Sequence, residues 1–336
     1  MIEAKALICT EKQEFSIEDV VLDGPSADQI AIRTHYSGVS IGTEFALIRG
    51  KLSWGPYPIC TGYQGTGVVE AVGADIDNFQ VGDEVYYRRN DAMRLADGAP
   101  VTCAQGTHCA HVVTTPNTTH GAAKLIPGAA MDVACMFVMP AVGLYGVDMS
   151  NPRAGEAVVV YGAGLIGLGV IAACAHRGCV VIAVDINEKQ LELARAMGAD
   201  YTINGASRDV PAEVCKIAPN GADVVFECTG IPSCVDPAIA LCRVQGSVVW
   251  QGNYGAAPIQ MCFLPPHEKR LKMFFPCDDG WQPFRRAVVK NMAMGALKWE
   301  QCITHRIQYA QAPAMFERIN KGEDKDIVGV VINWLG

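Results

Sequence analysis

Basic side chains are sparse and unclustered in this sequence. Lys and Arg number 27 against 35 Asp and Glu, a net charge of −8, and charged residues make up only 18% of the 336 positions. A nucleic-acid groove or a face for anionic lipid needs clustered Lys and Arg to displace counterions, so neither is an expected partner. Internal repeats and low-complexity tracts are also missing. Hydrophobic residues make up 50% of the chain, which excludes a disordered or collagen-like protein and leaves ample apolar mass for buried cores. At roughly 150 residues per domain, the length indicates about two domains. The opening MIEAKALICTEKQEF lacks the apolar run and small-residue cleavage site of a secretory signal. Fourteen cysteines are present, many inside apolar runs, such as Cys135, Cys174 and Cys228. They read as reduced thiols filling core positions, and the expected location is the cytoplasm.

One long uncharged run does occur, AVVVYGAGLIGLGVIAACA from Ala157 to Ala175, about the length of a membrane span. Its internal pattern is a short β-branched run, three glycines and an Ala-rich stretch. That predicts a strand, a tight turn and a helix buried in a two-faced sheet.

Residues 1 to about 120 read as mostly β, with short runs at 29–34, 67–72, 84–87 and 111–115 separated by Gly, Pro and Asp turns. From about 142 the texture becomes βαβ. Strands are predicted at 158–161, 180–184, 201–203, 224–227 and 248–251, with helices at 165–177 and 188–197. This is the rhythm of a doubly wound parallel sheet. Two further helices, 281–294 and 312–320, precede a last strand at 327–334.

Gly162-Ala163-Gly164-Leu165-Ile166-Gly167 is G-x-G-x-x-G, and Asp185 closes the next predicted strand eighteen residues after Gly167. A strand before, a helix after and an acid at that distance are the context a dinucleotide fingerprint requires. Gly162 permits the tight turn, Gly164 admits the pyrophosphate and Gly167 lets helix and strand pack. The helix N-terminus offers unpaired N–H groups and partial positive charge to the phosphates. The Asp185 carboxylate suits the adenosine ribose hydroxyls and repels a 2′-phosphate, which favours NAD(H) over NADP(H).

SGVSIGTE at 37–44, GYQGTGVVEAVG at 62–73, FQVGDEV at 79–85, MPAVGLYGV at 139–147, the fingerprint segment and the closing VGVVINW together resemble the medium-chain dehydrogenase/reductase superfamily over nearly the whole chain. The resemblance implies an α/β protein with a Rossmann doubly wound domain and a split, GroES-like, mostly β catalytic domain. Residues 1–141 and 276–336 would form the catalytic domain, and 142–275 the NAD-binding domain. It further implies a homodimer or homotetramer acting on a small-molecule substrate. Coenzyme contacts carried over by it are Thr229 and Gly230 near the adenosine ribose, Gln190 in place of a commonly found Lys, and Gln251, Gly252 and Asn253 at the nicotinamide end.

Zinc-dependent members of the family place a Cys before G-[ST]-D, a His-Glu pair after a Gly, and a Cys, Asp or Glu before a later Pro. At these positions this sequence has Ser40, Tyr63 with Gln64, and Met139. Zinc takes thiolate, imidazole or carboxylate at about 2.0–2.3 Å, and hydroxyl, phenol, amide and thioether are no substitute. Between Val85 and Val112 only Cys103 and Cys109 occur, with no Cys-x-x-Cys, so the four-Cys lobe is missing as well. His35, Cys60, His108, Cys109 and His111 are scattered; His108-Cys109-x-His111 is the best remaining set and reads as alternating faces of a strand. No zinc is expected.

Without a Lewis acid, protein groups must stabilise the alkoxide and handle its proton. Thr43 aligns with the family's relay hydroxyl. Glu44 is either a general base or a hydrogen-bond anchor. Tyr63 either donates to the substrate oxygen or fills the vacated metal cavity, and Gln64 can orient a polyol hydroxyl. Ser40, Trp54, Tyr57 and Met139 are candidates to line the pocket. His267 and Lys269 are weaker candidates near the domain boundary.

Three functions compete. The first is a zinc-independent, NAD(H)-dependent alcohol, polyol, sugar or cyclitol dehydrogenase. The second is a zinc-independent C=C reductase of the enoyl or quinone type, for which NADPH preference would be the sign. The third is a non-catalytic nucleotide-binding protein, for which no substrate would change NADH absorbance.

Overall fold

The structure, a computed structural model, describes residues 1–322, 324 and 326–336. The chain forms two compact units, Met1–Val138 with Val289–Gly336, and Met139–Val288.

In the first unit, strands Ile2–Cys9, Phe15–Leu22, Met93–Leu95, Pro100–Cys103 and Ile59–Cys60 close into a barrel. A second sheet runs in the order Ala122–Lys124, Glu84–Tyr87, Gly65–Val72, Ile30–Val39, Gly329–Asn333, Ile303–Gln308, with His111–Thr114 also paired to Ile30–Val39. The closing strand is thus an interior one, antiparallel to Ile30–Val39 from Val330↔Val39 to Asn333↔Tyr36. Helix Ala312–Lys321 buries Ala312, Met315, Phe316 and Ile319, the i, i+3, i+4, i+7 stripe of an amphipathic helix. Phe316 packs on Phe15 and Phe45 with ring centroids 5.6 and 5.3 Å away. Gly322, at φ 69°, ends the helix in the left-handed conformation that glycine adopts without steric cost.

The second unit carries a six-stranded, all-parallel sheet. Its order is Tyr201–Asn204, Val180–Asp185, Ala157–Tyr161, Ala222–Glu227, Cys242–Trp250, Lys272–Phe274. This is the Rossmann order, which reverses direction between Ala157–Tyr161 and Ala222–Glu227. Both faces are covered, so the strands are β-branched and apolar throughout: Val158, Val159, Val160, Val181, Ile182, Val224 and Val225 are all buried. Asn187 and Asp209 cap the helices that follow them by accepting from Lys189 and Ala212 N–H. The uncharged run divides as its pattern predicts, into strand Ala157–Tyr161 and helix Leu165–His176. Among the described residues no helix is long and apolar enough to cross a membrane.

The return to the first unit falls at Val289, inside helix Gln282–Ala293, whereas the resemblance put it at 276. Residues 276–288 stay with the second unit, where Asp279 takes the Nε and Nη2 of Arg285, both at 2.6 Å and fully buried.

Candidate active site

The coenzyme fingerprint is built at the switch point of the parallel sheet. Gly162 has φ 99°, and a Cβ there would sit 2.8 Å from the Thr229 side chain. Gly167 packs against the Gly162 carbonyl with no room for a Cβ. Gly164 is exposed, with nothing near a hypothetical Cβ, so the backbone is open to a ligand there. No side chain caps helix Leu165–His176, which leaves the first-turn N–H groups of Leu165, Ile166 and Gly167 for an anion. Asp185, at the end of the second strand, turns back on this loop. Its Oδ2 accepts from Ala163 N–H at 2.8 Å and its Oδ1 from Asn187 N–H at 2.9 Å. Each oxygen keeps a second lone pair for a ribose hydroxyl. This cradle fits a dinucleotide.

Thr229 lies beside Gly162, and its N–H donates to Glu227 at 3.0 Å, as does its hydroxyl. Gln251 is buried, with Nε2 on the Val142 carbonyl at 3.1 Å and Oε1 without a hydrogen-bond partner. Gly252 N–H donates to the Glu227 carbonyl, and Asn253 is exposed. Gln190 is half-buried in helix Glu188–Ala196 with an unpartnered Oε1.

A second polar constellation lies inside the first unit. The Tyr63 phenol donates to Ser40 Oγ at 2.5 Å and is also reached by the Thr43 hydroxyl. The Arg88 guanidinium lies over the Tyr63 ring, 5.5 Å from its centroid, and its Nε donates to the Tyr63 carbonyl at 3.3 Å. Burial pushes the phenol up to about 12, outweighing the lowering by Ser40, Thr43 and Arg88. Tyr63 is therefore a proton donor at neutral pH, not a base.

Glu44 is fully buried at the start of helix Thr43–Ile48, and both oxygens are committed. Oε1 accepts from Ser40 N–H at 2.7 Å and Oε2 meets His108 Nε2 at 2.8 Å. His108 Nδ1 in turn lies 2.8 Å from Ser37 Oγ, which accepts from Trp334 Nε1 at 2.8 Å. The Nε2–H tautomer satisfies every member: indole to hydroxyl, hydroxyl to Nδ1, Nε2–H to carboxylate. Of its two readings, Glu44 therefore has the geometry of the anchor, fixing the turn that presents Ser40 and Thr43.

Gln64 is equally committed. Its Oε1 accepts from Val138 N–H at 3.1 Å, and its Nε2 lies 3.9 Å from Met136 Sδ. Tyr57 places its phenol on the carbonyls of Leu47 and Ile48, at the end of helix Thr43–Ile48, and Trp54 is exposed. Met139 is buried in helix Val138–Ser150, in the other unit. Lys269 caps helix Val235–Leu241 through the carbonyls of Ile239, Ala240 and Cys242, and His267 stacks on Phe263 at the surface. His108 does not share a strand with His111, since that strand begins only at His111; His108 faces Glu44 inside the unit.

A zinc ion does not fit this donor set. Ser40 Oγ holds the Tyr63 proton, the Gln64 amide oxygen holds a backbone N–H, and no thiolate, imidazole or free carboxylate joins them. Among the described residues, no group of three or more His, Cys, Asp and Glu could hold a metal ion. The reading of the sequence missed Ser37, Arg88, Glu227, Tyr254 and the pairing of His108. The partners of Ser37 and His108 lie far off in the chain, 71 residues apart from each other and 64 from His108 to Glu44, so local pattern carried no signal for them.

The parallel sheet, the glycine cradle and the acid at the end of the second strand define a dinucleotide-binding fold. The model of the alcohol dehydrogenase GroES-like domain matches residues 26–136, and that of the zinc-binding dehydrogenase domain matches 166–293. The chain belongs to the medium-chain, alcohol-dehydrogenase-like dehydrogenase/reductase superfamily. It is 26% identical to an S-(hydroxymethyl)glutathione dehydrogenase of Candida maltosa, over 96% of this chain and 95% of that one. It is 27% identical to sorbitol dehydrogenase 2 of Saccharomyces cerevisiae, over 82% of each. Its fold matches that of 2R,3R-butanediol dehydrogenase from Bacillus subtilis with a TM-score of 0.84 and 21% identity, over 98% of this chain and 99% of that one.

Proposed function

We propose that this protein is an NAD(H)-dependent, zinc-independent dehydrogenase of a polyol, sugar or cyclitol. The observation that carries the reading is the Tyr63–Ser40–Thr43 hydroxyl group, set on a carboxylate anchor where zinc-dependent relatives place metal ligands. When bound, the coenzyme supplies the hydride acceptor or donor. The second unit binds it: Gly162, Gly164 and Gly167 make room for the pyrophosphate, Leu165 and Ile166 offer N–H groups, and Asp185 holds the adenosine ribose.

The first unit handles the substrate oxygen. The Tyr63 phenol donates a hydrogen bond to Ser40 Oγ, which leaves the Ser40 O–H to hydrogen-bond the substrate oxygen. On oxidation the alcohol proton leaves through the half-buried Thr43 hydroxyl to solvent water, and on reduction it returns the same way. A hydroxyl that is itself hydrogen-bonded by a donor is the more polarised donor. Preorganised donors aimed at a developing alkoxide stabilise it in a buried site without reorganisation. Glu44 and His108 keep the turn bearing Ser40 and Thr43 in place. Sequence relatives named for sorbitol and D-xylulose support a polyol or sugar substrate class.

The test is NADH formation at 340 nm on a panel of polyols, sugars and cyclitols, with elemental analysis of the same sample. Turnover that survives chelation in zinc-free protein and falls in Ser40→Ala and Tyr63→Phe is expected. One tightly held zinc per subunit, lost together with turnover, overturns the reading. NADPH-dependent reduction of enones with no polyol oxidation would replace it by the C=C reductase.

A further inference from the structure

The strand order divides the coenzyme unit into two halves. Asp185 lies at the end of Val180–Asp185, on one side of the switch point. A dinucleotide lying across that crevice, with its adenosine ribose at Asp185, has its other half over the loops that follow Ala222–Glu227 and Cys242–Trp250. That sets Thr229 and Gly230 on that side of the switch point and not at the adenosine ribose, where the resemblance puts them. Those loops are residues 228–230 and 251–255.

The two loops meet at Glu227: its carbonyl accepts from Gln251 and Gly252 N–H at 2.9 and 2.8 Å, and its buried carboxylate adds a side-chain tie. Glu227 is 1% exposed. Its Oε1 accepts from the Thr229 N–H and hydroxyl, and its Oε2 from Gly230 N–H at 3.2 Å and from the Tyr254 phenol. Four donors fill the four lone-pair sites of a carboxylate. Three of them come from the carboxylate's own loop; Tyr254 alone of the four comes from the other. The backbones also touch: a Cβ on Gly230 would lie 2.6 Å from the Asn253 carbonyl oxygen. Burial and the Glu227 charge both push the Tyr254 phenol up, so it remains a donor. Its ring meets Trp250 edge-on, with centroids 5.6 Å apart.

We propose that Tyr254, acting through Glu227, is a positioning residue for the nicotinamide ring of the coenzyme: it holds residues 251–253 in place beside that ring. The inference rests on the coenzyme reading above and deepens it. ADP-ribose carries the adenosine, both phosphates and the second ribose, but no nicotinamide. A clamp on the nicotinamide loop is therefore felt by NADH and not by ADP-ribose.

The experiment compares wild type with Tyr254→Phe in titrations with NADH, read by quenching of tryptophan fluorescence, and with ADP-ribose, read by calorimetry. The NADH dissociation constant is expected to rise about tenfold in the variant, the weight of one hydrogen bond to a charged acceptor, while that of ADP-ribose changes less than about twofold. Unchanged NADH affinity overturns the proposal. So does an equal loss for both ligands, which is what a merely structural role gives. Wild type that binds neither ligand refutes the coenzyme reading itself, and does so before any variant is made.

Discussion

Asp185→Asn tests the coenzyme preference with little change of shape. In the structure each carboxylate oxygen takes one backbone N–H, Ala163 at 2.8 Å and Asn187 at 2.9 Å. An amide can accept at only one of these, so the other N–H faces an NH2 group. The side chain is only partly buried, and water relieves part of the penalty. A cost of about 1 kcal/mol corresponds to a drop of about 2–4 °C in Tm for a unit of this size. The effect on coenzyme is larger. The ribose hydroxyls lose a charged acceptor, worth about 1.5 kcal/mol or more, so NADH binding weakens about tenfold. An NADPH 2′-phosphate is relieved of like-charge repulsion, about 1–4 kcal/mol per unit charge at ~4 Å for the dielectric range near a surface. The NADH-to-NADPH preference therefore narrows from both sides, by about a hundredfold. Fluorescence titration of both coenzymes measures it. Wild type that binds NADPH as tightly as NADH, or a ratio that moves less than about threefold, refutes the reasoning.

The Tyr63 phenol, pushed up to about 12 by burial, stays protonated across the working range. Its contribution to stability is fully present below the unfolded value of ~10 and is lost as pH rises through about 12. The 295 nm difference titration between wild type and Tyr63→Phe should show no ionisation near neutrality; a neutral limb that disappears in Tyr63→Phe would contradict the donor role. His108→Leu leaves the Glu44 carboxylate and the Ser37 hydroxyl buried without their partner, at about 3 kcal/mol or more. His108→Gln keeps a donor for Glu44 and should cost about 1 kcal/mol. Urea midpoints of the two variants rank them, and equal midpoints would refute the network. Among the exposed thiols Cys215, Cys262 and Cys277, alkylation should be slowest at Cys262, whose thiol is pushed up by its hydrogen bond to Asp236. Peptide mapping after brief iodoacetamide treatment reads the order.

The Rossmann unit was largely legible because each of its signals is local. Strand Ala157–Tyr161, the turn at Gly162 and helix Leu165–His176 follow one another within twenty residues, and each has its own periodicity. Helix Val138–Ser150 was not legible. It is apolar nearly all round and interrupted by Gly143 and Gly146, so it has no amphipathic stripe to detect. The barrel strands Met93–Leu95 and Ile59–Cys60 are two or three residues long, too short for a period of two to register. The buried Asp279–Arg285 pair was not legible either, because a charged pair six residues apart normally signals a solvated turn.

The catalytic unit separates residue identity from residue role. Ser40, Tyr63, Gln64 and Glu44 were all visible in the sequence; what each holds was not. A site that had only lost its ligands would leave buried polar groups unpaired, at about 1–3 kcal/mol each. Here the polar side chains are paired, with one another or with the backbone and His108. Tyr63 finds Ser40, Gln64 takes the Val138 N–H, and Glu44 is held by Ser40 N–H and by His108, a residue outside the metal positions. Replacing one member in isolation would strand its partner, so these groups depend on one another in the fold. That mutual satisfaction gives the hydroxyl-based reading its weight over a decayed metal site.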